Sequence, residues 1–361
     1  AELEGVVLWL DENTNATKNP TGDLTSYWRG RTDLVTPKSI DFSAGTNFNN
    51  AWDNCSSLTS FNATGLDSGT QFSSAWYNCS ALVTFPALAL TAGTNFPSAW
   101  HNCTSLTSFN ATGLDSGTNL SYAWYGCTSL ATFPAIPLTA GTNFSNTWRN
   151  CTSMTSFLAT DFTAGANFSQ AWENVESLTT FPAIAFTSSA TNFSYAWRYC
   201  DGMTTFLATG LDSGTSFLQA WYLDTALTEM PAIPLTAGLN FTSAWSGCTS
   251  LTSFLATGLN SGTSFEAAWY GCTALTSFPA IPLTAGTNFT LAWWTCSSMT
   301  SFLATGLDSG TLFPSAWQNC NSLATFPAIP LTAGENFSYA WYQCSSLTSF
   351  LATGLDSGTN F

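Results

Sequence analysis

Tryptophan recurs at Trp52, Trp76, Trp100, Trp124, Trp148, Trp172, Trp197, Trp221, Trp245, Trp269, Trp293, Trp317 and Trp341. Every interval is 24 residues except the 25 between Trp172 and Trp197. A unit this short cannot bury a core alone, so thirteen copies must stack on one another as a solenoid rather than fold as separate compact domains. The long interval holds Thr187-Ser188-Ser189-Ala190-Thr191, where other units read Thr-Ala-Gly-Thr. A segment that tolerates an insertion is a loop on the surface of the coil.

Within one unit the apolar spacing changes character. Phe96, Ala99, Trp100 and Cys103 fall at i, i+3, i+4 and i+7, the stripe of a short helix of about two turns. Gly93-Thr94-Asn95 precedes it, and Thr94 or Asn95 suits a helix cap. Leu106-Thr107-Ser108-Phe109 is short and rich in Thr and aromatic residues, which predicts a strand. The Leu-Asp-Ser-Gly and Leu-Thr-Ala-Gly tracts carry turn chemistry back to the next unit. The expected fold is an α/β solenoid, a leucine-rich-repeat-like coil of 24-residue rungs, each with one short parallel strand and one short helix. At roughly 4.8 Å between parallel strands, thirteen rungs extend about 60 Å. Rungs alternate between Phe-Pro-Ala-Ile-Pro-Leu-Thr-Ala-Gly, starting at Phe133, Phe278 and Phe326, and Phe-Leu-Ala-Thr-Gly-Leu-Asp-Ser-Gly, starting at Phe206, Phe302 and Phe350. The unit of duplication is thus 48 residues, and proline in every other rung removes a ladder N–H and keeps the strands short.

The run Ala123-Trp124-Tyr125-Gly126-Cys127-Thr128-Ser129-Leu130-Ala131-Thr132-Phe133 resembles the Ala-Phe-x-Gly-Cys-x-Ser-Leu-x-x-Ile phrase of BspA-like leucine-rich-repeat surface proteins. Asn336-Phe337 through Leu347 likewise resembles the repeat phrase of mycoplasma lipoproteins. The resemblance covers residues 44–361, with Trp standing where the family has Phe. It implies a bacterial, protist or phage surface protein used in adhesion or partner binding, and it carries no catalytic residues.

Composition narrows the function classes. Six Lys and Arg stand against 21 Asp and Glu, a net charge of −15, and charged residues make up 7% of the chain, against about 25% in ordinary globular proteins. A chain this acidic lacks the basic stripe that nucleic acid requires, and it is repelled by anionic membrane surfaces. No run of 18 apolar residues exists, so no membrane insertion is expected. The 28 Phe, 16 Trp and 10 Tyr supply far more apolar core than a disordered chain carries.

Residues 1 to about 40 lack the repeat. They are expected to cap the first rung or, alternatively, to serve as an anchor or assembly segment. The first residues carry neither an initiator Met nor a basic-plus-apolar leader, as expected if a signal has been removed. Residues 41–361 form the solenoid, which stops mid-unit without a polar cap. Either the natural chain continues or another molecule covers that end. In a head-to-tail reading, Val6, Val7, Leu8 and Trp9 of one copy add onto Phe350, Leu351 and Phe361 of the next.

Eleven cysteines fall in two odd runs and a singleton, with Val175 and Asp224 in the same slot of the intervening rungs. Neighbour-to-neighbour pairing would leave at least three thiols over, and stacked equivalents have parallel Cβ vectors. A column of buried, reduced Cys is therefore expected. A lone His101 and no Cys-x-x-Cys give no metal set, and no nucleophile elbow or phosphate cradle appears. No catalytic, cofactor or metal residue is assigned. The Asp67, Asp115, Asp212, Asp308 and Asp356 row is expected to cap turns, weak Ca²⁺ binding being the alternative. The fourteen Asn-x-Ser/Thr sequons, including Asn143-Phe-Ser and Asn240-Phe-Thr, follow the repeat and are expected first as caps.

Two slots vary while the core slots stay Phe, Ala, Trp and Leu: the residue before the Ala and the residue after the Trp, which share one face at i and i+3. Tyr77, Tyr122, Tyr125, Tyr195, Arg198, Tyr222, Tyr270, Trp294, Tyr339 and Tyr342 occupy them and are the candidate partner contacts. Aromatic residues there either shield the coil or recognise a glycan or protein. On the strand side, Pro134, Leu158, Pro182, Leu207, Leu255, Pro279 and Leu303 would form an uncharged apolar ridge. The expected function is a non-enzymatic extracellular recognition or adhesion solenoid, on a cell or virion surface, that binds a glycan or protein. The alternative is a structural subunit that self-associates head-to-tail into an extracellular fibre or coat.

Overall fold

The computed structural model describes residues 21–36 and 40–361. The chain divides into two units, Ala1–Gly165 and Ala166–Phe361, and both are wound as parallel β-coils with 24-residue rungs. From Thr84 onward each strand is two residues long and occupies the expected phrase: Thr84–Phe85 pairs with Ser108–Phe109 in the first unit, and Ser277–Phe278 with Ser301–Phe302 in the second, all parallel and in register. A second ladder passes through Asn47, Gln71, Asn95, Asn119 and Asn143 in the first unit. Its counterpart in the second runs from Asn167 through Asn192 to Asn360. The extra residue after Thr187 is absorbed in a turn closed by the Ala190 amide on the Thr187 carbonyl.

The expected helix is absent. Among the described residues the only helical turns are the 3₁₀ turns Leu66–Ser68 and Leu259–Ser261, and neither lies in the Phe-x-x-Ala-Trp segment. That segment is a run of overlapping tight turns. Ala75, Tyr77 and Cys79 donate their amides three residues back, to the carbonyls of Phe72, Ser74 and Trp76. The alternate amides of Phe72, Ser74, Trp76 and Asn78 donate across the stack to Asn95, Pro97, Ala99 and His101. The same alternation holds in the second unit from Phe313 to Cys320. An α-helix would satisfy every N–H inside the segment, whereas here half of them bind the neighbouring rung. The i, i+3, i+4, i+7 spacing still puts Phe96, Ala99, Trp100 and Cys103 in the core, all fully buried. Turns closed by i to i−3 bonds gather these side chains on one face as a helix would.

The geometry requires left-handed backbone at two places per rung, such as Ser74 (φ 52°) and Asn78 (φ 58°). The second place falls two residues after the Trp. It holds Asn54, Asn78, Asn102, Asn150, Asn174 and Asn319, or glycine at 126, 247 and 271. Asn and Gly are the residues that enter this region most readily. Thr295 (φ 63°) is β-branched in the same slot. Thr295→Gly is therefore expected to stabilise the second unit by about 1 kcal/mol, measured by urea denaturation; a loss of stability would contradict the turn geometry.

The core is a column of stacked indoles. Trp76 and Trp100 lie 5.4 Å apart at 3°, and in the second unit Trp269 and Trp293 lie 5.4 Å apart at 2°. Phenylalanines from the strands pack edge-on, Phe278 at 4.7 Å from Trp269. Trp28 stacks on Trp52 at 5.2 Å and 2°, with Ser26 and Gly30 in the left-handed slots. Residues 21–36 thus continue the repeat, contrary to the expected non-repeat segment through residue 40. Val6, Val7, Leu8 and Trp9 lie outside the described residues.

The cysteine column is reduced and buried except for the half-buried Cys344. Each thiol does more than fill space: Cys79 Sγ donates to the Trp52 carbonyl at 3.2 Å, and Cys320 Sγ to that of Trp293 at 3.3 Å. Burial pushes the Cys103 and Cys296 thiols up to about 12, which keeps the donor proton in place. Asp224 stands in this column, fully buried, with Oδ1 accepting the Cys200 amide at 2.9 Å. Its Oδ2 has no partner.

Candidate recognition face

The two variable slots lie side by side on the face made by the tight turns. Tyr122, Tyr195 and Tyr339 take the first left-handed position of their rungs, at φ 57°, 60° and 57°. A left-handed residue turns its side chain away from the core, so these rings face outward while Ala123, Ala196 and Ala340 beside them are buried, as are Trp124 and Trp197.

Not all ten candidate residues converge on one place. In the first unit Tyr77, His101 and Tyr125 stack in file, with ring centres 4.7 Å and 4.5 Å apart. Tyr122 leans over this file, 6.2 Å from His101 and 5.8 Å from Tyr125, and the Arg149 guanidinium lies 5.8 Å from the Tyr125 ring centre. In the second unit Arg198 is ringed by Tyr195, Tyr199 and Tyr222. Tyr270 meets Trp294 edge-on at 5.2 Å, and Tyr339 meets Tyr342 at 5.7 Å. Tyr339 and Tyr342 are 65% and 52% exposed.

Two members of these groups escape the sequence reading. His101 follows Trp100 in the second variable slot and is not among the candidate contacts. It is sandwiched between Tyr77 and Tyr125, and burial pulls its pKa down to about 4. As the only histidine of the chain, it should give one NMR titration with a midpoint about 4 rather than near 6.5. A midpoint near 6.5 would mean that the stack is open. Tyr199 sits in the slot usually held by Asn or Gly and was not singled out, yet its ring makes the shortest approach to Arg198, 4.5 Å.

The strand-side ridge follows the predicted register. Leu158 in the first unit and Leu207, Leu255 and Leu303 in the second are each about half exposed. Pro134, Pro182 and Pro279 are half-buried beside them. On the last turn Phe350, Leu351 and Phe361 are exposed. The aspartate row differs from expectation. Its turns are closed by backbone, Gly117 amide to Leu114 carbonyl, and the Asp115 carbonyl accepts Thr139 Oγ1 at 3.0 Å. The sequon asparagines of the Asn-Phe phrase do cap, but cap turns: Asn240 Oδ1 accepts the Thr242 amide at 3.0 Å. Among the described residues no three His, Cys, Asp or Glu side chains converge as a metal site, and no helix is long and apolar enough to cross a membrane.

In topology the chain is similar to a leucine-rich repeat protein from Bacteroides ovatus, at 15% identity and TM-score 0.43 over 90% of this chain and 88% of that one. It is similar also to a leucine-rich cell surface protein from Faecalibacterium prausnitzii, at 16% identity and TM-score 0.41 over 90% and 92%. A Listeria monocytogenes internalin aligns over 91% and 86% at 11% identity and TM-score 0.30. No protein-family model and no curated protein sequence matches the chain. The BspA-like family suggested by the Gly-Cys phrase rests on that phrase alone.

Proposed function

We propose that this protein is a non-enzymatic recognition solenoid of an extracellular surface, binding a glycan or protein through its turn face. The observation that carries the reading is the grouping of outward aromatic side chains on the turn face within each unit, while the Trp beneath recurs in every rung. Solvent-facing Tyr and Trp offer rigid apolar area with a polar edge, the chemistry of carbohydrate and protein contacts. An array of surface glycans and extracellular proteins probed with the whole chain is expected to show binding that falls at least about tenfold in a Tyr77→Ser/Tyr125→Ser variant. Binding that ignores these substitutions and those of Tyr339 and Tyr342 would overturn the reading.

The second reading is a structural subunit that self-associates head-to-tail, in an extracellular fibre or coat. The uncharged ridge favours self-association, because a chain of net charge −15 can approach its own copies only over uncharged surface. The residues proposed for the joint are Val6, Val7, Leu8 and Trp9 against Phe350, Leu351 and Phe361. Filaments in negative stain that persist on dilution would favour this reading; a monomer mass at all concentrations would remove it.

A further inference from the structure

Arg198 is the only basic side chain in residues 166–361, a stretch that carries ten carboxylates. Its guanidinium carbon lies 4.5 Å from the ring centre of Tyr199, 5.2 Å from that of Tyr222 and 5.5 Å from that of Tyr195. Nη2 donates to the Tyr199 hydroxyl at 2.8 Å, and Nε is shielded from water without a hydrogen-bond partner. Among the described residues no carboxylate forms an ion pair with it. Glu173, in the same slot one rung earlier, is buried and accepts from Gln170 Nε2 at 2.8 Å.

An arginine in so acidic a unit would ordinarily be matched with a carboxylate of its own. Here three rings hold the guanidinium plane by cation–π contact, which fixes the orientation of its donor fork. A fixed planar fork is suited to a carboxylate. The surrounding tyrosines add what a pyranose requires: apolar faces for its C–H side and hydroxyls for its own. A dense polyanion would meet the net charge of the chain, whereas a single carboxylate on an otherwise neutral sugar would not.

We propose that Arg198, Tyr195, Tyr199 and Tyr222 bind a carboxylate-bearing sugar unit of the uronic acid type, its carboxylate on Arg198 and its ring against the tyrosines. This names the ligand class for the turn face and rests on the recognition reading above. The test is a ligand-observed NMR titration of the whole chain with methyl β-D-glucuronide, methyl β-D-glucoside and acetate. The glucuronide is expected to bind at least about tenfold more tightly than either of the others. Arg198→Gln should abolish that preference, and Arg198→Lys, which keeps the charge but not the fork, should lose most of it. Near-UV circular dichroism of the indole column confirms that each variant is folded. Equal binding of glucuronide and glucoside overturns the proposal. So does acetate binding as tightly as the glucuronide, or a glucuronide preference that survives Arg198→Gln. Neutral glycans bound through Tyr77 and Tyr125 with no glucuronide preference would leave the recognition reading standing and remove this inference alone.

Discussion

Trp269→Ala is expected to cost about 3–5 kcal/mol, the range for removing a buried aromatic side chain. The indole is fully buried, stacked at 5.4 Å on both Trp245 and Trp293, with Phe278 edge-on at 4.7 Å. In a coil each rung holds only its neighbours, so the loss interrupts a column rather than denting a globular core. Trp269→Phe should cost under about 1.5 kcal/mol, because the Trp269 Nε1 is buried without a partner and the swap removes that unsatisfied donor along with some packing. Trp245 differs, since its Nε1 points at Met230 Sδ, 3.3 Å away. Urea denaturation of the alanine and phenylalanine variants checks both. If the two cost the same, the stacking account of the core fails.

Asp224→Cys is expected to stabilise the protein at neutral pH by about 1–3 kcal/mol, the cost of leaving a buried polar atom unpaired. In the cysteine column each thiol donates to a Trp carbonyl of the preceding rung, and the equivalent acceptor for residue 224 is Trp197. Burial, reinforced by Asp201, holds the Asp224 carboxyl well above the usual carboxylate range. A raised folded-state value means that the folded chain keeps the proton after the unfolded chain has released it. This contribution to stability is fully present below about 3.8 and is lost as pH rises through the folded-state value. Asp53 and Asp201 are raised by burial as well, so the wild-type chain should lose stability more steeply as pH rises above about 4 than either Asp224→Cys or Asp224→Asn. An unchanged slope in the two variants would contradict a protonated Asp224.

The interval of the tryptophans makes the solenoid, its short strands and the burial of Phe, Ala, Trp and Cys legible, because stacking puts the same slot of successive rungs in the same surroundings. The turn segment was misread as a helix, because i, i+3, i+4, i+7 spacing reports which side chains share a face and not where the amides bond. The discriminating signal was present: Asn or Gly two residues after Trp52, Trp76, Trp100, Trp124, Trp148, Trp172, Trp245, Trp269 and Trp317. A helix has no use for a left-handed residue inside it. Trp28 is hard to place in the repeat from sequence because its rung has Arg31 in place of Cys and lacks the Gly-Cys phrase. On the candidate face the slots were legible and the groupings were not. Which rings touch depends on side-chain directions set by left-handed backbone, and so the Tyr77–His101–Tyr125 file and the part played by Tyr199 emerge only from the fold.

The most direct test of the recognition account compares two variants against the same glycan or protein ligand: Tyr339→Ser/Tyr342→Ser on the turn face and Leu255→Ser/Leu303→Ser on the ridge. Binding of each is measured by surface plasmon resonance beside the wild-type chain and the Tyr77→Ser/Tyr125→Ser variant. The account predicts that one or both tyrosine variants lose at least about tenfold in affinity, while the ridge variant binds as the wild type does. Loss confined to the ridge variant, with both tyrosine pairs silent, would contradict it and move the binding surface to the strand side.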